Sequence, residues 1–204
     1  MQGPETQLFG GAFVTMFPSK YIDVSNFRNV PDHQEVWTED KADSPLAFIC
    51  EILEYKNNVK DEDSAKFFFD DLASLNNKDN KATSEVISTK LIKNKHNSKE
   101  KLCLAYIPED TIIHLLKGRS IVNRRNDGTI NVDCITWLAN IRLPQVTTDI
   151  LITLTLPLSQ NAKMNYSSKT NKVDDVLDDV QNHGENTFYH ILKNFNIKNW
   201  GLFG

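Results

Sequence analysis

Residues 130–158 read INVDCITWLANIRLPQVTTDILITLTLPL and contain two β-rich runs, 130–143 and 148–158. Only residues 144–147 separate the two runs. Around Thr153 and in the sequence that follows it, apolar and polar side chains alternate with a period of two, which is typical of a strand. Two such runs joined by a short connection predict an antiparallel hairpin within a larger sheet.

Further strand and helix patterns extend outward from this hairpin. Clusters of β-branched, aromatic and apolar residues predict strands in the run between the glycine pair at 10–11 and Pro18, and at 35–38, 46–53, 83–90 and 101–107. Apolar residues at helical spacing predict helices over 61–76 and 173–195. Gly184 leaves open whether the second pattern is one helix or two.

Two aspartates mark further predicted helical turns. Asp23 can cap a short turn over the residues that follow it. Asp110 is a candidate N-cap for a short helix that passes through His114 and ends at Gly118. Between these features, Pro31 fixes its own φ angle and predicts a chain reversal before the strand at 35–38.

The predicted elements favour one fold class. Strands outnumber helices, and many strands are joined by links of hairpin length. The chain has 204 residues, of which 40% are hydrophobic, and this is enough to bury a core. We therefore expect an α+β fold, with a mainly antiparallel central β-sheet, helices packed on both faces, and a single domain spanning residues 1–204.

Charge and composition argue against two classes of partner and indicate a cellular compartment. The net charge of −4 gives no electrostatic footprint for nucleic acid. The apolar run 150–158 is far shorter than the roughly 20 residues that cross a bilayer, so we expect no membrane partner. The N-terminus lacks the basic and apolar regions of a secretory signal. Three widely spaced cysteines, Cys50, Cys103 and Cys134, predict reduced thiols in a protein of the nucleus and cytoplasm.

Motifs for catalysis or cofactor binding are missing from the sequence. It contains no phosphate-binding loop, no dinucleotide-binding glycine turn and no nucleophile elbow. The five histidines are scattered, with no pair at i,i+4 and no C-x-x-C, so no metal site is predicted. A lone histidine such as His114 is more often structural than catalytic. We expect no catalytic residue, no cofactor and no metal.

The segment VPDHQEV at 30–36 places two carboxylates three residues apart beside a proline turn. One interpretation is a capping box, with Asp32 at the N-cap of a helix and Glu35 at N3. The other is a rigid rim that exposes both carboxylates to lysines or arginines of a partner. Residue chemistry alone leaves both interpretations open.

Several motifs together resemble one known family. Residues 8–12 read LFGGA, residues 22–25 read IDVS, and residues 28–36 read RNVPDHQEV. Residues 69–72, residues 141–149 and the final LFG add further matches, whereas 77–130 and 159–190 match poorly. In their order and spacing these motifs are similar to the Mog family of Ran-binding proteins, also called Ran guanine nucleotide release factors.

The resemblance implies a function and a set of binding residues. A member of this family binds the GTPase Ran, stimulates release of guanine nucleotide and supports nuclear protein import by binding rather than by catalysis. The family motif places Ran-binding carboxylates at Asp32 and Glu35, and Asp23, Arg28 and Gln34 belong to the same motif. We expect a monomer that binds Ran.

Two other classes of function remain open at this stage. The same fold can serve as an interaction module for a partner other than Ran. Alternatively, an enzyme or ligand-binding protein would need a deep pocket that contains His114 or His190.

Overall fold

The computed structural model describes residues 3–41, 45–75, 84–96, 102–123, 131–158 and 173–203. The helices in these ranges are α1 (Ser64–Leu75) and α2 (Val173–Asn194). The strands are β1 (Glu5–Leu8), β2 (Phe13–Met16), β3 (Tyr21–Asp23), β4 (Gln34–Glu39), β5 (Ala47–Glu54), β6 (Ser84–Lys93), β7 (Ile112–Asn123), β8 (Asn131–Leu143), β9 (Thr148–Pro157) and β10 (Asn196–Ile197).

The strands form two antiparallel sheets. The smaller sheet has the order β1-β2-β10, and the larger sheet has the order β3-β4-β5-β9-β8-β7-β6. The predicted hairpin is β8–β9, with Ile141 opposite Ile150 and Leu138 opposite Thr153. It lies inside the larger sheet, where β9 also pairs with β5 and β8 with β7. The α+β class with mainly antiparallel pairing is therefore confirmed.

Two hydrophobic clusters each contain residues of β8. The larger cluster contains Trp137 and Ala139, together with apolar residues of the smaller sheet and of α2. The smaller cluster joins Leu138 to residues of α1, among them Phe68 and Phe69. Successive residues of one strand therefore supply different clusters, as the two-residue period of a pleated strand requires.

A buried ion pair fastens the central hairpin to the rest of the chain. Arg142 of β8 lies opposite Asp149 of β9, and the two side chains are 1% and 0% exposed. The Arg142 guanidinium donates to Asp149 Oδ1 at 3.2 Å, to Asp61 Oδ1 at 2.8 Å and to the backbone carbonyls of Val59 and Lys56. It also lies 4.3 Å from the centre of the Tyr55 ring. One side chain therefore connects β8, β9 and the segment that links β5 to α1.

The predicted strand at 101–107 is wrong for the residues described there. Leu104 and Ile107 are buried, but their backbone groups bond to the side chain of Asn94 rather than to a neighbouring strand. The Asn94 amide donates to the carbonyls of Leu104 and Ile107 at 3.0 and 2.9 Å and accepts from the Leu104 N–H at 3.1 Å. A single buried amide thus replaces the ladder that the apolar pattern predicted.

The predicted short helix from Asp110 to Gly118 is also wrong, because β7 begins at Ile112 and continues through these residues. Asp110 has a φ of 64°, which differs from the extended backbone of an N-cap residue. Gly118 does not end a helix. It lies where β7 and α1 approach each other closely. A Cβ at this position would lie 2.4 Å from the Phe69 ring of α1.

Gly184 lies inside α2, so the C-terminal pattern is one helix and not two. A Cβ at Gly184 would lie 2.4 Å from the Trp137 ring, which is buried against the helix. The glycine is therefore explained by packing between α2 and β8. In the described ranges, no helix combines the length and the apolar character that crossing a membrane requires. Cys50, Cys103 and Cys134 are free thiols; Cys50 and Cys134 are buried, whereas Cys103 is partly exposed.

We expect Gly184→Ala to lower the free energy of unfolding by about 1–3 kcal/mol, because the new methyl group overlaps Trp137. In an open helix the same change would raise stability by up to about 1 kcal/mol. Urea unfolding measures the difference, with the exposed Asn182→Ala on the same helix as the control. A stabilised Gly184→Ala variant would contradict the close approach to Trp137.

Candidate partner-binding site

The connection between β3 and β4 begins with a capped turn. Asp23 ends β3, and its Oδ1 accepts a hydrogen bond from the Ser25 N–H at 2.8 Å. The turn Val24–Asn26 is 3-10 helical, and the N–H groups of Phe27 and Arg28 both donate to the Val24 carbonyl at 3.0 and 3.2 Å. The predicted cap at Asp23 is confirmed, and it fixes the backbone from which the rest of the connection projects.

Two charged side chains of this connection are exposed. Arg28 follows the capped turn, and Asp32 lies in the reversal before β4, where the Gln34 N–H donates to the Pro31 carbonyl at 2.8 Å. Within the described part of the chain, neither charged side chain forms a hydrogen bond or an ion pair. Both charges are therefore available to a partner.

Glu35 has a different environment from Asp32. It is the second residue of β4, so the capping-box interpretation is wrong because no helix begins at Asp32. Glu35 Oε1 accepts from the Phe9 N–H at 2.5 Å, and Oε2 accepts from Trp37 Nε1 at 3.3 Å. Phe9 has a φ of 50°, a conformation that non-glycine residues rarely adopt. The half-buried carboxylate therefore ties the turn after β1 to β4.

Gln34 points to the opposite side of β4. It lies across from Glu51 of β5, and its Nε2 donates to Glu51 Oε1 at 2.6 Å. Glu51 is buried, and this burial raises the pKa of its carboxyl above the usual value, whereas the hydrogen bond from Gln34 acts in the opposite direction. The amide thus stabilises a carboxylate that has little access to water.

The five residues of the motif therefore perform different roles in the structure. The Asp23 side chain caps the turn that follows β3, the Gln34 side chain links β4 to β5, and the Glu35 side chain links β4 to the turn at Phe9. Arg28 and Asp32 present charge to solvent. Sequence reasoning treated all five as one patch, and only the strand register of β4 separates them.

Sequence reasoning also missed a prominent side chain on this surface. Phe27 is 77% exposed, although it lies in a turn with a fixed backbone. The available signal was an aromatic residue placed between a capping aspartate and an arginine, where no helical or strand period requires an apolar group.

We expect Glu35→Ala to lower the free energy of unfolding by about 1–3 kcal/mol, because the Phe9 N–H loses its acceptor. Asp32→Ala, three residues away and exposed, is the matched control and should change stability by less than about 0.5 kcal/mol. Chemical denaturation of both variants tests this difference. A loss in Glu35→Ala as small as the one expected for Asp32→Ala would contradict a stabilising role for the bond from Phe9 N–H to Glu35.

His114 and His190 line none of the three cavities described for this part of the chain. His114 is buried on β7, and its Nδ1 accepts from the Ala65 N–H at the start of α1 at 3.1 Å. One of these cavities has a volume of 540 Å³ and is bordered by Tyr55, Arg142 and Trp200, and the other two have volumes of 250 and 320 Å³. Over the same ranges, no three histidine, cysteine or acidic side chains lie close enough to hold a metal ion.

The environment of His114 makes stability depend on pH. Burial lowers the pKa of its imidazole below the usual value, although Asp61 and Asp63 act in the opposite direction. At a pH below the ordinary histidine pKa of about 6.5, the imidazole binds a proton in the unfolded chain more readily than it does in the folded chain. The free energy of unfolding therefore falls as the pH drops from about 7 towards the lowered pKa of the folded state.

We expect His114→Asn to reduce this loss of stability, because asparagine offers the Ala65 N–H an acceptor that does not titrate. Urea unfolding at several values between about pH 7.5 and pH 5 measures the slope, and the exposed His183→Asn is the control. Parallel stability curves for the wild type and His114→Asn would contradict the assigned role of the buried imidazole. His190, whose pKa burial also lowers, accounts for part of the remaining slope.

Comparison with known proteins gives consistent results for sequence and structure. A family model described as Ran-interacting Mog1 protein matches residues 6–157. The chain is 32% identical over 201 residues to the Ran guanine nucleotide release factor of Danio rerio, covering 97% of this chain and 98% of that protein. It is also 32% identical to the Ran guanine nucleotide release factor of Homo sapiens, over 76% of each chain.

A solved structure shares the fold. The crystal structure of the Ran-binding protein Mog1p of Saccharomyces cerevisiae superposes with a TM-score of 0.68 over all of both chains, at 21% identity. The nuclear import protein MOG1 of the same organism is 26% identical over 182 residues, which cover 83% of this chain and 73% of that protein.

Proposed function

Because the chain belongs to the family of Ran-interacting Mog1 proteins, we propose that it binds the small GTPase Ran, promotes release of guanine nucleotide and thereby supports nuclear protein import. The observation that carries this proposal is the match over nearly the whole length to a relative named for nucleotide release from Ran. The protein acts by binding, without catalysis of its own, as a monomer that meets Ran in the nucleus and cytoplasm.

We place the contact with Ran on the connection between β3 and β4. Asp32 offers an exposed carboxylate on a backbone that the bond between Gln34 N–H and Pro31 holds in place. A carboxylate in this setting favours a lysine or arginine of the partner, with which it can form charge-assisted hydrogen bonds. Arg28, in the same connection, adds an exposed positive charge, which favours a partner surface of mixed charge.

The other three motif residues support this surface from within the fold. Asp23 caps the turn that precedes Arg28, and Gln34 and Glu35 secure the start of β4 directly after Asp32. In this proposal Glu35 contributes to binding by holding the connection in position. A group whose own hydrogen bonds are already satisfied gains less from a partner than an exposed group does.

We also infer that α1 and α2 cover opposite faces of the larger sheet. α1 packs with Leu138, whereas α2 packs in the cluster of Trp137 and Ala139, and alternate residues of a strand face opposite sides.

Promotion of release requires that binding differ between the states of Ran. A thousandfold weakening of nucleotide affinity corresponds to a coupling free energy of about 4 kcal/mol. Hydrogen bonds to charged groups contribute roughly 1.5–3 kcal/mol each. One or two contacts made by Asp32 only with the nucleotide-weakened state would therefore supply much of this coupling.

We expect Asp32→Lys to slow release of a fluorescent guanine nucleotide from Ran at least about tenfold relative to the wild type, because it places a positive charge against a basic surface. Asp178→Lys on α2 is the matched control, since it reverses an equally exposed carboxylate and changes the net charge by the same amount. This control should retain wild-type activity.

Equal effects of the two reversals would mean that overall charge, and not Asp32, governs the reaction. Activity of Asp32→Lys at the wild-type level would remove Asp32 from the contact. If the wild type neither binds Ran nor accelerates release, the Ran assignment fails, and a panel of other small GTPases then tests the interaction-module alternative.

A further inference from the structure

We propose that Phe27 is the apolar anchor of the surface that binds Ran, inserting its ring into an apolar pocket of the partner beside the charged contacts of Asp32 and Arg28. This inference rests on the proposed function and assigns a residue outside the acidic motif. It predicts a mixed interface, in which an aromatic centre supplies affinity and charged neighbours supply orientation.

The Phe27 ring is unusually exposed for an apolar side chain of its size. Phe27 is 77% exposed, the largest value among the large apolar side chains of the described residues, where Leu75 follows at 72% and Tyr106 at 58%. Single exposed apolar residues are common on protein surfaces, so exposure alone assigns no function. What distinguishes Phe27 is the structure beneath it.

Hydrogen bonds fix the backbone under Phe27. Its N–H donates to the Val24 carbonyl at 3.0 Å, and the next N–H, that of Arg28, donates to the same carbonyl at 3.2 Å. The cap at Asp23 and the bond from Asn26 Nδ2 to the Asp23 carbonyl at 3.2 Å close the turn. A side chain presented on an ordered turn loses little conformational freedom on binding, and this favours affinity.

Phe27 shares the connection between β3 and β4 with two exposed charged residues. Arg28 is the next residue along the chain, and Asp32 lies in the same connection between β3 and β4. Both side chains are exposed, and they carry charges of opposite sign. Interfaces concentrate aromatic side chains at their centre and place charged groups at the rim. The arrangement fits a protein partner with an apolar pocket bordered by basic and acidic groups, and it is poorly suited to nucleic acid.

The test compares three variants of the full chain for affinity to Ran and for nucleotide release. We expect Phe27→Ala to weaken the Kd for Ran by about 10- to 100-fold, as truncation of an aromatic hot spot does. Phe27→Leu keeps an apolar group and should stay within about threefold of the wild type. Tyr106→Ala is the control, because it also truncates an exposed aromatic ring. Tyr106 lies in the segment that bonds to Asn94, which follows β6, and β6 and β3 are the two opposite edge strands of the larger sheet. This variant should bind Ran with the affinity of the wild type.

Thermal unfolding of each variant accompanies the binding measurement, since loss of an exposed ring should leave the folded structure unchanged. Wild-type affinity in Phe27→Ala would overturn the anchor while leaving Ran binding intact. An equal loss in Tyr106→Ala would also overturn it, because the effect would not be specific to this surface. Absence of Ran binding by the wild type would overturn the proposed function and the anchor together.

Discussion

The buried guanidinium of Arg142 is the constraint on which the arrangement of the larger sheet depends. Two charges with almost no contact with water are tolerable only when each is paired and hydrogen-bonded. Asp149 supplies the charge, and three further acceptors lie on the segment between β5 and α1. Meeting this requirement brings that segment against the end of the central hairpin. It thereby sets where α1 begins and how β5 leaves the sheet.

A comparable constraint operates at the motif, where two neighbouring carboxylates have separate environments. Glu35 satisfies the N–H of a residue with an unusual backbone conformation, so it is committed to the fold. Asp32 has no such commitment within the described chain. The chemistry of the side chains is nearly the same, and only their positions relative to the start of β4 distinguish a structural carboxylate from one that is available to a partner.

The sequence was informative where local pattern and tertiary structure agree. The alternation around Thr153 identified the β8–β9 hairpin, and the spacing of Phe68 and Phe69 identified α1. It failed where a distant side chain decided the outcome. The apolar residues at 104 and 107 have the pattern of a strand, but their carbonyls accept hydrogen bonds from the Asn94 side chain instead of a neighbouring strand. Gly118 has the pattern of a helix end, but it lies within a strand against the Phe69 ring. At the site, the motif located the surface, but the division between supporting and exposed residues depends on the strand register.

That register has a consequence for how the sequence can change in length. Gln34 and Glu35 point to opposite sides of β4, one towards Glu51 and the other towards Phe9. A residue inserted among positions 28–31 would lengthen only an exposed connection. The same insertion after position 34 would exchange the two sides, placing a carboxylate against Glu51 or leaving the Phe9 N–H without an acceptor. Length variation among homologous sequences should therefore be tolerated before Asp32 and selected against inside β4, after Gln34.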